Sequence, residues 1–148
     1  MFVSVNHPAR TMTYGEKVGS LRRTLHRALV KHLSARTNRP MAHLLALRSI
    51  SLKEVNTQAE LAERLFIDAP ATSRLLAKLE KEGLVKRTAG ADRRCVCLQV
   101  TPAAKKEIVV IDEALRWLEK EIRTHLTARE FEVSKKLLSR LQEGMGAR

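Results

Sequence analysis

The chain has 148 residues, 44% of them hydrophobic but only 3% aromatic, with 28 Lys and Arg against 16 Asp and Glu. The length suits one domain with a real core, and the formal net charge of +12 points to a polyanionic partner. So few aromatics exclude a stacking platform for single strands or RNA. No run approaches the ~18 apolar residues of a membrane span and no signal peptide opens the chain, so a cytoplasmic protein with no membrane partner is expected.

In chain order, the first dozen residues, MFVSVNHPARTM, show no periodicity and read as an arm or an added pairing element. From about Gly15 to Ser34, Val18, Leu21, Leu25, Leu29 and Leu33 recur at three- and four-residue steps, the apolar stripe of an amphipathic helix. Pro40 starts a second helix, with Leu44, Leu45 and Leu47 buried and the stretch from Ser49 to Asn56 closing it. Thr57-Gln58-Ala59-Glu60 has the T-x-x-E spacing of a capping box, in which the Thr oxygen accepts an orphan N–H and the Glu reaches back. Leu61, Ala62 and Leu65 follow at helical spacing, and Phe66-Ile67 leads into a turn. Asp68 is an N-cap, and Pro70 falls in the first turn of the next helix, where a missing N–H costs little. That helix, from Ala69 to Glu82, turns Thr72, Leu75, Leu76 and Leu79 inward and Ser73, Arg74, Ala77, Lys78 and Lys81 outward. Gly83 ends it.

Two strands come next, Leu84–Arg87 and Cys95–Val100, joined by a loop over residues 88–94. Thr101-Pro102 then caps a long helix marked by Ile108, Ile111, Leu115, Leu118, Ile122 and Leu126 at near-heptad spacing. Thr127 to Glu130 is another capping box, opening a last helix with Phe131, Leu138 and Leu141 inward.

Two short helices followed by a hairpin with arginines at its tip provide one element for the DNA major groove and another for the neighbouring minor groove. Near the start of the second helix, small side chains permit close approach, Ser73 can hold a phosphate, and Arg74 can read guanine O6 and N7 bidentately. Thr57, Thr72 and Lys78 complete the candidate DNA contacts on the helices. Arg93 or Arg94 on the hairpin loop enters the minor groove, and Asp92 pairs with an arginine to orient the tip. The bland alternatives are a solvated helix face and a charged surface turn.

The segments TQAELAERL, TSRLLAKLEKEGLVKR, the DRR of the hairpin loop and VTPAAKKEI resemble the winged helix-turn-helix of the MarR family of bacterial transcription regulators. Chain length fits the family over nearly all residues. Pro70-Ala71 stands where the family often has a Ser-Thr pair, and Ala104 where a glycine often follows the wing. The resemblance implies a homodimeric repressor or activator on double-stranded DNA bearing a pseudo-palindromic operator, often released by small phenolic or lipophilic ligands or by oxidants. The expected fold is mainly α with a small β-hairpin wing (α+β). A single domain over 1–148 would hold dimerisation helices at 13–36 and 102–143 and a winged helix-turn-helix region at 40–101. Interdigitating first and last helices across a two-fold axis would set two recognition helices ~34–36 Å apart. The alternative is a monomer whose long helices fold back on its own core.

The charge is unevenly spread: residues 1–53 hold ten Lys and Arg against Glu16 alone, while residues 54–100 hold eight against seven acids. The DNA-reading module must therefore segregate its charges, with Glu60, Glu63, Glu80 and Glu82 away from the groove, and the basic N-terminal third adds phosphate contacts or a steering field. For an anionic small-molecule effector the candidate groups are Arg22, Arg23 and His26 on the first helix and His43 on the second, each otherwise a solvated or DNA-facing residue. Cys95 and Cys97 stand ~6.5 Å apart along one strand, near the limit for disulfide closure, and read as small hydrophobes under the wing. The five dispersed histidines form no metal or catalytic grouping, so no enzyme activity, metal or cofactor is expected. The competing class is an architectural, weakly specific DNA-binding protein without an effector; a winged helix facing a protein partner is disfavoured by the basic wing tip.

Overall fold

Helix ends in this chain are set by side chains that take up orphan backbone groups. The computed structural model describes residues 11–90 and 96–146. Its elements are α1 (Tyr14–Ser34), α2 (Met41–Ser51), α3 (Gln58–Leu65), α4 (Ala69–Lys81), β1 (Val85–Ala89), β2 (Val96–Val100), a 3₁₀ turn (Pro102–Ala104), α5 (Lys105–Thr124) and α6 (Ala128–Gly146). Both expected capping boxes form. Glu60 N–H donates to Thr57 Oγ1 at 3.2 Å while Thr57 N–H donates to Glu60 Oε2 at 3.0 Å, and Thr127 and Glu130 do the same at 3.3 and 2.8 Å. A third box, Thr13 with Glu16, starts α1. It has the same T-x-x-E spacing and went unread in the sequence. Each cap is worth about 1 kcal/mol.

Asp68 accepts the Ala71 N–H at 2.6 Å and fixes the start of α4. The helix closes through Gly83, at φ 71, with Leu84 N–H donating to Leu79 O at 2.9 Å. α2 stops at Ser51, short of the expected closure reaching Asn56, because Lys53 turns into the left-handed region at φ 56 and Glu54 N–H donates back to Ser49 O at 3.1 Å.

The hairpin is antiparallel, with Val85 opposite Val100, Arg87 opposite Leu98 and Ala89 opposite Val96. β1 runs two residues beyond the expected Arg87, since Thr88 and Ala89 pair with Cys97 and Val96. Leu98 N–H donates to Asn56 O at 2.8 Å, so the segment before α3 adds one rung to the outer edge of β2.

Two clusters of buried side chains hold the elements. The first joins Leu47 and Ile50 of α2, Leu61 of α3, Leu75, Leu76 and Leu79 of α4, and Val85 and Leu98 of the hairpin. The second joins Leu29 and Leu33 of α1, Leu44 of α2, and Ile111 and Ala114 of α5. Arg48 pairs with Asp112 at 2.7 Å, Arg36 with Glu113 at 3.0 Å, and His32 stacks on Trp117 with centroids 4.0 Å apart, all pinning the first two helices to α5. No helix among the described residues is long and apolar enough to cross a membrane.

The apolar stripes of the outer helices do not all turn inward. On α1 only Leu29 and Leu33 are buried, while Val18 and Leu21 are exposed. On α6 Phe131 is buried beneath the Arg123 guanidinium, 3.7 Å from its ring centroid. Leu138 and Leu141, expected inward, are 47% and 40% exposed. The helical period was read correctly, but nothing among the described residues covers the second half of α6.

Candidate nucleic-acid interface

α4 packs one face on α3 and the hairpin, burying Leu75, Leu76 and Leu79. The opposite face presents Ser73, Arg74, Ala77, Lys78 and Lys81, all exposed. The sorting follows from the 3.6-residue period, and Pro70 behind the Asp68 cap lets the helix begin cleanly at a bare end.

Electrostatics decide what that face can meet. Several acids of the module are engaged: Glu54 by Arg64 at 2.8 Å, Glu80 by Arg87 at 3.1 Å and Glu82 by Arg39, all across elements, and Glu60 by the backbone N–H groups that open its own helix. Hydrogen bonding to the Asn56 and Thr57 amides holds the Glu60 carboxyl below its ordinary range, and the Arg39 hydrogen bond does the same for Glu82. Arg74 and Lys81 make no ion pair among the described residues, which leaves their cations to an external anion. A module that is nearly neutral by count thus exposes a basic helix face.

Several nominated residues fall elsewhere. Thr72 is fully buried and its hydroxyl donates to Asp68 O at 2.8 Å, so it packs α4 onto the core and does not reach DNA. The two assignments given to it, inward-facing and DNA-contacting, exclude each other. Thr57 is half-buried and its hydroxyl is committed to the Glu60 N–H. Asp92, Arg93, Arg94 and Cys95 lie outside the described residues. Cys97 is a half-buried free thiol in β2.

The effector candidates are not gathered at one place. Arg22, Arg23 and His26 are exposed on α1. Arg23 borders a shallow groove of about 450 Å³ with Met12, Gly15, Glu16 and Gly19. A second hollow of about 280 Å³, between Val30, Leu33, Thr37, Asn38 and Arg39, contains none of the four. His43 is half-buried, with no hydrogen-bond partner at Nδ1 among the described residues. Burial, then Lys78 and Arg39 nearby, push its pKa down against the opposing pull of Glu82.

Two residues that sequence reasoning passed over shape the surroundings of α4. Arg39, before α2, pairs with Glu82 at the end of α4, and its Nε lies 3.4 Å from Glu107 Oε1 on α5. No local signal marks a contact between residues so distant in sequence. Phe66 ends α3 at φ 53 and is 85% exposed, with the Arg22 guanidinium carbon 5.8 Å from its ring centroid. A left-handed non-glycine residue costs about 1–2 kcal/mol, and the turn between the helices was the one signal available.

Residues 37–94 match a family model described as MarR family. Among solved structures, the transcriptional regulator PA3341 is 26% identical with a TM-score of 0.77, covering 92% of this chain and 100% of that one. The multiple antibiotic resistance repressor MarR is 25% identical with a TM-score of 0.73, over 89% of this chain and 96% of its own. A mutant MarR from E. coli complexed with operator DNA is also 25% identical, with a TM-score of 0.70 over 86% and 91% of the two chains. The helix pair, the antiparallel hairpin and the flanking helices form a winged-helix fold like that of these regulators, and the match to the MarR family model spans residues 37–94.

Proposed function

We propose that the protein is a transcription regulator, a repressor in the first instance, that binds a pseudo-palindromic operator in double-stranded DNA as a homodimer in the cytoplasm. The observation that carries this reading is the outer face of α4, where Ser73, Arg74, Ala77, Lys78 and Lys81 project together while the neighbouring acids are paired elsewhere. In the proposed complex residues 40–101 form the reading unit, and the helices over 13–36 and 102–143 hold two copies together. Each copy inserts α4 into a major groove, Arg74 reads a base edge, and Lys78 holds a phosphate. Arg93 or Arg94 occupies the adjoining minor groove, oriented by Asp92. Release by a small phenolic or other anionic or lipophilic ligand belongs to the same reading, with Arg23 and its groove the best-placed of the candidates.

Arg74 and Lys78 separate specific from general contact. Arg74→Ala is expected to cost about 1–3 kcal/mol on operator and much less on random duplex, relaxing sequence preference. Lys78→Ala is expected to weaken both duplexes alike and to reduce the salt slope by about one. Anisotropy titrations on the two duplexes across a salt series check this. Equal losses on both duplexes for both variants contradict the assignment and favour an architectural protein.

A further inference from the structure

Phe66 combines two features that folding alone does not favour: a bulky side chain at φ 53, and a phenyl ring 85% exposed to water. The same chain uses a glycine, Gly83 at φ 71, where the end of α4 needs the left-handed region. Such strained positions concentrate where a segment has a role beyond packing. The ring stands three positions before Ala69, the first residue of α4, and recognition helices approach the groove with their N-terminal residues foremost. In the proposed complex the turn that bears Phe66 would stand at the rim of the groove.

The side chains that α1 brings to it are cationic, while Glu63 and Asp68 flank it on its own segment. The Arg22 guanidinium lies over the ring, 5.8 Å from its centroid, in a cation–π contact. Arg22 has no carboxylate partner among the described residues, and exposed Arg23, His26, Arg27 and Lys31 continue along α1, whose one acid is Glu16. A nucleic-acid backbone offers an apolar sugar beside an anionic phosphate, the pair of groups that a ring with a guanidinium over it can meet.

We propose that Phe66 and Arg22 form a second DNA contact: the ring packs on a deoxyribose bordering the groove that α4 enters, and the guanidinium held over it pairs with the adjacent phosphate. The contact rests on the operator-binding reading and extends it from the recognition helix to the first helix. It is independent of base sequence and couples α1 directly to the bound duplex.

Phe66→Gly and Arg22→Gln test it, each titrated with a fluorescein-labelled random-sequence duplex and with a duplex selected by the wild-type protein. Phe66→Gly relieves the backbone strain, so its melting temperature is expected to equal or exceed that of the wild type, which separates lost binding from lost fold. Both duplexes are expected to bind this variant roughly five- to tenfold more weakly. Arg22→Gln is expected to flatten the dependence of log K on log salt by about 0.9 per protomer. Wild-type affinity and slope in both variants would overturn the contact while leaving the operator reading intact. Weakening that sedimentation traces to lost dimer places a second copy on Phe66 and overturns it as well. Absence of any duplex binding by the wild type defeats the operator reading itself.

Discussion

Glu60, Glu82 and Glu130 each gain a partner on folding that is absent from the unfolded chain. The first and third accept backbone N–H groups at helix starts, at 3.0 Å from Thr57 and 2.8 Å from Thr127, and the second accepts from Arg39. All three carboxyls are held below the ordinary value of 4.5. Since the folded pKa lies below the unfolded one, their contribution is fully present above pH 4.5 and is lost as pH falls through the depressed values. The melting temperature is accordingly expected to fall on acidification below that point, and Glu60→Gln to make the fall shallower when followed by circular dichroism. A melting curve whose acid dependence is unchanged by the substitution argues against the cap. At this scale the sequence was legible where chemistry is local, as the boxes at Thr57 and Thr127 show. It was opaque where one residue has two readings. Thr72 sits on the inward period and bears a hydroxyl suited to phosphate, and only burial settles that the hydroxyl serves the Asp68 carbonyl.

Between elements, the position of α4 depends on both a packed face and an ionic clasp. Leu76 and Leu79 are fully buried against α2, α3 and the hairpin. Arg39, with its side chain 18% exposed, reaches from the turn before α2 to Glu82 at the end of α4 and to Glu107 on α5. The clasp therefore links the end of α4 to the long helix α5. Arg39→Ala removes both pairs and leaves two carboxylates facing each other across the gap. A loss of about 1–2 kcal/mol is expected, read as a lower urea midpoint with an unchanged slope. An unaltered midpoint excludes the clasp as a stabilising feature. Helical spacing together with capping signals placed the six helices, because both are visible within one window, while the strands were set by the segment between Gly83 and Thr101. Such local signals could not find Arg39, Phe66 or Arg48, whose partners lie in other elements.

For the molecule as a whole, the sequence left open which surface the outer apolar stripes would find. Val18 and Leu21 on α1 and Val133, Leu137, Leu138 and Leu141 on α6 are exposed in the single chain. Exposed leucines repeating along a terminal helix fit a face covered by a second copy, the arrangement that would set two α4 helices about one DNA turn apart. The overall excess of cations, +12, was plain from composition. Its segregation was expected as well, but not the partners: Arg39 for Glu82, Arg64 for Glu54 and Arg87 for Glu80, with the outer face of α4 left basic. These features fit a dimer that reads a repeated sequence with two copies of α4. Genome-wide selection of fragments by the purified protein, with its own upstream region included, is the decisive test. A short inverted repeat with half-sites one turn apart is expected, bound by two protomers and retained at salt that releases random fragments. Indiscriminate, salt-labile retention of every fragment would contradict that expectation.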